Sequence, residues 1–150
     1  MKVLFLDVDG VLNNELLLET HGWEAIGETK LDLLKEIIDA TEAKIVLSST
    51  WRIDGGTRKV LVEKLETRTL QLFDQTIVLM PKKMSMSVNR SDEICEWLSR
   101  HPEVEHFAVL DDNTDAGYGI ESHFFKTQFE EGLTRTITNQ VIAHLTKGNA

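Results

Sequence analysis

Apolar residues along this chain follow two patterns. Some fall in short unbroken runs, and others recur every three or four positions over longer stretches. The runs lie within residues 3–6, 44–48, 75–80, 107–110 and 123–126, and they are rich in branched and aromatic side chains. Such runs predict strands buried on both faces of a parallel sheet. Helical spacing appears in Leu31, Leu34, Ile37, Ile38 and Thr41, which predicts a helix over 30–42 capped by Thr29, with Asp32 three residues on. A second helix is expected over 58–68, after the Gly55-Gly56 break and a Thr57 cap. A third begins at Arg90, capped by Asn89 or Ser91, turns Ile94, Trp97 and Leu98 inward and stops before Pro102. Thr134 caps a last helix carrying Ile137, Val141, Ile142 and Leu145, ended by Gly148. Residues 14–28 are expected to form a turn-rich loop over the end of the first strand. Strands alternating with helices imply an α/β fold, a three-layer, doubly wound, Rossmann-like parallel sheet, in a single domain spanning 1–150.

Composition narrows the class. The 150 residues are 41% hydrophobic and 27% charged, an ordinary globular profile. No apolar run is long enough to span a bilayer, and Asp7 interrupts the N-terminal run too early for a signal peptide. The single cysteine, Cys95, excludes an internal disulfide and fits a reducing, cytoplasmic setting. It is expected, like Trp97, at or near the core. A formal net charge of −9 argues against broad nucleic-acid binding, though not against recognition of one phosphate. The five histidines have no metal-ligand spacing with Cys95, which disfavours zinc.

The chemistry gathers at strand ends. The first strand runs into Asp7 and Asp9, followed by Gly10; the second into Ser48 and Ser49; the fourth into Asp111 and Asp112. In a parallel sheet these tips share one edge, where ligands bind. Unpaired carboxylates are costly to bury, so such a set calls for a hard cation such as Mg²⁺. Acids, a hydroxyl and the cation Arg90 around one point suit phosphoryl transfer through an aspartyl phosphate.

The segment Asp7-Val8-Asp9-Gly10-Val11-Leu12 resembles motif I, DxDx(V/T), of the haloacid dehalogenase (HAD) superfamily of phosphohydrolases. Residues 47–52 resemble its motif II, a strand ending in Ser or Thr, and residues 109–115 its acidic motif IV. The tail around Lys126-Thr127 and Gly132-Leu133-Thr134 is similar to small members related to nucleic-acid-end phosphatases. The resemblance implies a Mg²⁺-dependent phosphomonoester hydrolase. Asp7 would be nucleophile and metal ligand. Asp9 would be general acid/base, with its backbone carbonyl on the metal. Ser49, Arg90, Gly10 and Arg52 would hold the phosphate, and Asp111 and Asp112 would complete the metal site. The motif III position, usually Lys, falls on Arg90, with Lys82 and Lys83 as rivals. No cap domain fits between the motifs, so the open site admits a bulky phosphoester: a small molecule or a nucleic-acid end.

Simpler readings stand beside these. Ser49 is an ordinary strand-end residue if taken alone, and Ser48 is the other hydroxyl. Arg52 taken alone is a surface ion pair. Trp23 and Trp51 either stack on a base or sugar or pack under a loop, and Asp115 is either support for the site or turn chemistry. A nucleic-acid end would need a positive channel, for which Arg52, Arg58, Lys59, Lys82 and Lys83 are the supply. The alternatives by class are a receiver-like phosphorylatable switch and a non-catalytic phosphate-binding domain.

Overall fold

The structure, a computed structural model, describes residues 1–84 and 86–147. Strands β1 (Lys2–Leu6), β2 (Lys44–Leu47), β3 (Leu72–Gln75), β4 (His106–Asp111) and β5 (Phe124–Lys126) form one sheet in the order β3-β2-β1-β4-β5. Every pairing is parallel. The helices are α1 (Glu15–His21), α2 (Glu28–Thr41), α3 (Gly55–Glu66), α4 (Arg90–Ser99) and α5 (Arg135–Thr146). The expected α/β architecture is therefore present, with no inserted cap among the described residues.

Alternation along the central strand explains the three layers. In β1, Leu4 and Leu6 face one side and Val3 and Phe5 the other, all fully buried. The first pair packs with Leu31, Leu34 and Ile37 of α2, Leu61 and Leu65 of α3, and Val141 and Leu145 of α5. The second packs with Ile94 and Trp97 of α4. Phe5 meets Trp97 edge to face at 5.4 Å, and the Trp97 indole donates to Asp74 Oδ2 at 2.8 Å. Burial on both faces is why β1 reads as an unbroken apolar run.

The chain winds outward from β1 through β2 to β3. It then crosses to β4 and β5 on the other side. The tips of β1 and β4 are thus the point where winding reverses, the crevice that open parallel sheets use for ligands. Leu6 pairs with Leu110, so the next residues, Asp7 and Asp111, emerge side by side.

Several boundaries differ from expectation. Residues 14–28 are not all loop: Asn14 accepts from Leu17 N at 2.9 Å and starts α1. α2 begins at Glu28 after Gly27, so Thr29 lies inside the helix. Asp54 rather than Thr57 caps α3, accepting from Gly56 N at 2.8 Å. The strand expected over 75–80 lies at β3, and only Thr76 N extends it, donating to Leu47 O at 3.0 Å. β2 ends at Leu47, so Ile77, Val78 and Met80 have no neighbouring strand and are exposed. Leu79 N donates instead to Glu93 Oε2. β4 runs from His106 to Asp111 and β5 begins at Phe124, small shifts of end. Cys95 is exposed, on the outer side of α4. Thr134 caps α5 as expected; Gly148 lies outside the described residues.

Candidate active site

The site forms where β1, β2 and β4 stop. One carboxylate oxygen from each of Asp7, Asp111 and Asp112 lies within 4.8 Å of the others. Asp7 and Asp111 are buried, and Asp112 is half-buried. Burial pushes the Asp7 carboxyl well above its ordinary range, and the charges of Asp111 and Asp112 push it further; Arg90 opposes them. Asp111 is raised to about 6, again chiefly by burial, while the Asn113 N–H, Arg90 and a hydrogen bond from Asp7 act the other way. Asn113 N reaches Asp111 Oδ1 at 2.9 Å. Three converging hard oxygen donors that repel one another without a counter-charge are the donor set of a Mg²⁺-type cation, so the residues present fit the expected metal.

Asp9 is held apart from this cluster. Its Oδ1 accepts from Asn13 Nδ2 at 3.0 Å, and its Oδ2 accepts from Trp51 Nε1 at 3.2 Å. Its carboxylate is therefore not a member of the metal cluster, and its expected part there rests on its backbone carbonyl alone. Asn13 is fully buried and also receives Gly10 N at 2.8 Å, while its amide donates to Ala25 O.

Residues 3–137 match the family described as the HAD domain in Swiss Army Knife RNA repair proteins. The chain belongs to this family. No curated protein and no solved structure matches it. Membership of this HAD family makes a hydrolase of that superfamily the frame for the acidic cluster, and it leaves the receiver-like switch without support.

On this HAD domain the remaining expected site residues fall into two groups. Ser49 is buried beyond the tip of β2, and its Oγ accepts from Trp51 N at 3.1 Å, which leaves the hydroxyl hydrogen to donate. Ser48 is fully buried, and its Oγ has no hydrogen-bond partner among the described residues. Arg90 opens α4, with its backbone N–H on Asp115 Oδ2 at 2.9 Å and its guanidinium on Ser48 O. Its charge acts on both Asp7 and Asp111. Lys82 and Lys83 lie exposed in the segment before α4, and the charge opposing the raised carboxyls is that of Arg90.

Arg52 and Gly10 do not meet the phosphate-binding expectation. Arg52 is buried and all five of its N–H donors are committed. They go to Thr76 O (3.0 Å), Ser48 O (3.1 Å), Ser49 O (2.7 Å), Ile77 O (3.4 Å) and Glu93 Oε1 (2.9 Å). A guanidinium has five such hydrogens, so none is left for a ligand. Glu93 spends its other oxygen on Leu79 N. Arg52 is thus neither a surface ion pair nor a substrate contact. It fastens the end of β2, residues 76–79 and α4 together. Gly10 gives its N–H to Asn13 and its carbonyl to Thr127 Oγ1. Its role is conformational: φ is +79°, and a Cβ there would overlap the Asp112 carboxylate.

Sequence reasoning missed three contributors. Asn13 sits three residues after Gly10, where its side chain can turn back on the loop, and that spacing is a signal of sorts. From sequence, Trp51 is open to stacking or to packing. It is buried, as packing would have it, yet its N–H reaches Asp9. Thr127 bonds Asp111 O through its N–H and, across more than a hundred residues, Gly10 O through its side chain, with no local signal. Asp115, left open between support and turn chemistry, receives Arg90 N. Trp23, by contrast, is 79% exposed and packs under nothing.

Proposed function

We propose that this chain is a Mg²⁺-dependent phosphomonoester hydrolase that works through an aspartyl phosphate on Asp7. Its substrates would be phosphorylated ends, from nucleotides to polynucleotide termini. The observation that carries the reading is the convergence of Asp7, Asp111 and Asp112 within 4.8 Å, with Arg90 acting on the same carboxylates. Asp7, Asp111, Asp112 and the Asp9 carbonyl would hold Mg²⁺, which when bound offsets the repulsion between the carboxylate and an anionic ester.

The chain's own groups then divide the work. The Asp7 carboxylate attacks phosphorus and the ester oxygen leaves. Asp9 supplies the proton that oxygen needs, then takes one from the water that cleaves the acyl phosphate and frees Asp7. The Ser49 hydroxyl and the Arg90 guanidinium hold the phosphoryl oxygens as charge moves between them. The absence of a cap among the described residues leaves room for a large phosphoester. Of the five cations considered for a nucleic-acid channel, Arg52 is internal and Arg58 donates to Gln75 Oε1. Lys59, Lys82 and Lys83 remain exposed. Among the described residues no helix is long and apolar enough to cross a membrane.

The test is a panel of phosphoesters: p-nitrophenyl phosphate, nucleoside 3′- and 5′-monophosphates, and oligonucleotides phosphorylated at either end. Phosphate release should require Mg²⁺ and vanish in Asp7→Asn. Release that persists in that variant, or that ignores chelation, would overturn the assignment.

A further inference from the structure

We propose that Trp51 and Asn13 are positioning residues for Asp9, a clamp of two neutral donors that fixes the carboxylate for proton transfer. The inference rests on the hydrolase reading and adds residues to it. Asp9 stands two positions from the three-carboxylate cluster, yet its side chain turns to Asn13 Nδ2 at 3.0 Å and Trp51 Nε1 at 3.2 Å. One donor occupies each oxygen, so the plane of the carboxylate as well as its position is set. The donors come from two places in the chain. Asn13 belongs to the loop after β1. Trp51 belongs to the 3-10 turn Thr50–Arg52 beyond β2, next to the Arg52 that fastens that turn to α4.

Both donors are buried, so the arrangement has little freedom to relax. Both are also uncharged. Neutral N–H groups therefore orient the carboxylate, one on each oxygen. An indole has one N–H and no acceptor, so it bonds one carboxylate oxygen without entering the proton transfer itself.

The test uses Trp51→Phe, which keeps a buried aromatic ring and deletes the donor, and Asn13→Ala, which deletes the donor to the other oxygen. Three quantities are read beside wild type: Mg²⁺ affinity by calorimetry, kcat and KM on an alkyl phosphate and on p-nitrophenyl phosphate, and phospho-enzyme by acid quench. Loss of a hydrogen bond to a charged group corresponds to a change on the order of 10- to 100-fold. That loss is expected in kcat for the alkyl ester, whose leaving oxygen needs the proton. With p-nitrophenyl phosphate, formation of phospho-enzyme is expected to be near wild type and its breakdown slow, so phosphate accumulates on Asp7. KM and Mg²⁺ affinity are expected to be unchanged. Wild-type rates on both esters would refute the clamp. So would a parallel fall of Mg²⁺ affinity and of both half-reactions, which marks a merely structural role. A wild-type protein with no turnover on any ester would overturn the hydrolase reading, and the clamp with it.

Discussion

Raising the pH of the metal-free protein should destabilise it, and Asp111 contributes a part of the effect whose size can be worked. Its carboxyl moves from an ordinary 3.8 to about 6 in the folded chain. The gap corresponds to about 3 kcal/mol, at about 1.4 kcal/mol for each tenfold change in proton affinity. Below 3.8 the group is protonated in both states and contributes no penalty. Between 3.8 and about 6 the unfolded chain ionises first, so the folded state loses stability as pH rises. Above that window the penalty is complete for Asp111; Asp7, raised well above its ordinary range, adds a loss of the same sign that begins within the window and runs beyond it. The assay is thermal denaturation in chelator at stepped pH, comparing wild type with Asp111→Asn. For a domain of this size about 3 kcal/mol corresponds to ~6–12 °C. The wild-type midpoint should fall by that amount relative to the variant between pH 4 and pH 7. Mg²⁺ at neutral pH should then restore the wild type, by about 2.7 kcal/mol at a hundredfold excess over Kd, and leave the variant much less affected. Parallel pH curves for the two proteins, or equal stabilisation of both by Mg²⁺, would refute the buried-cluster argument.

Other outcomes follow from the same contacts. With p-nitrophenyl phosphate, whose leaving oxygen needs no proton, Asp9→Asn should form the acyl phosphate and fail to clear it, so the intact mass after acid quench should show one added phosphoryl group, absent when Asp7→Asn is combined with it. Glu93→Gln or Arg52→Gln breaks an ion pair of 2.9 Å with both partners buried, and should cost ~3–5 kcal/mol in urea denaturation; a loss under about 1 kcal/mol would mean that Arg52 is not the fastening described. Gly10→Ala meets both a left-handed backbone and the Asp112 carboxylate. It should cost about 1–2 kcal/mol in stability and weaken Mg²⁺ binding by calorimetry, and unchanged affinity would show that Asp112 does not depend on the Gly10 turn.

The order of strands and helices was legible because burial on two faces leaves an unbroken apolar run, and every central strand here is buried so. The acidic tips were legible for the same reason: Asp7 and Asp111 end runs whose apolar character places them deep in the sheet. Legibility failed at the edge. β3 has one neighbour and a register shift between Ile45 and Val46, so nothing in the apolar stretch 75–80 marks which residues pair. It failed again where a side chain does two things at once. Trp51 is buried like any core aromatic while its N–H serves Asp9. Arg52 follows a strand like a surface cation while its five donors are spent internally. Such roles depend on the direction of one bond, and residue type alone does not encode it.

The placement of charge explains why the site can tolerate so much acid. Asp7 and Asp111 sit at the end of the sheet's most buried strands, where an ion pair would carry a heavy desolvation cost. The one buried ion pair among the described residues, Arg52 with Glu93, is set back from the cluster. It secures the turn that bears Trp51 and the helix that bears Arg90. Arg90 reaches the carboxylates through its charge while its guanidinium rests on a backbone carbonyl. The cluster is therefore left under-neutralised, and the metal-free fold carries a strain that the proposed divalent cation would relieve. If an arginine fully paired Asp7 and Asp111, the domain would be more stable without metal and would bind Mg²⁺ less well. Stability lost at the acidic tips is in this sense the source of the affinity that the proposed chemistry requires.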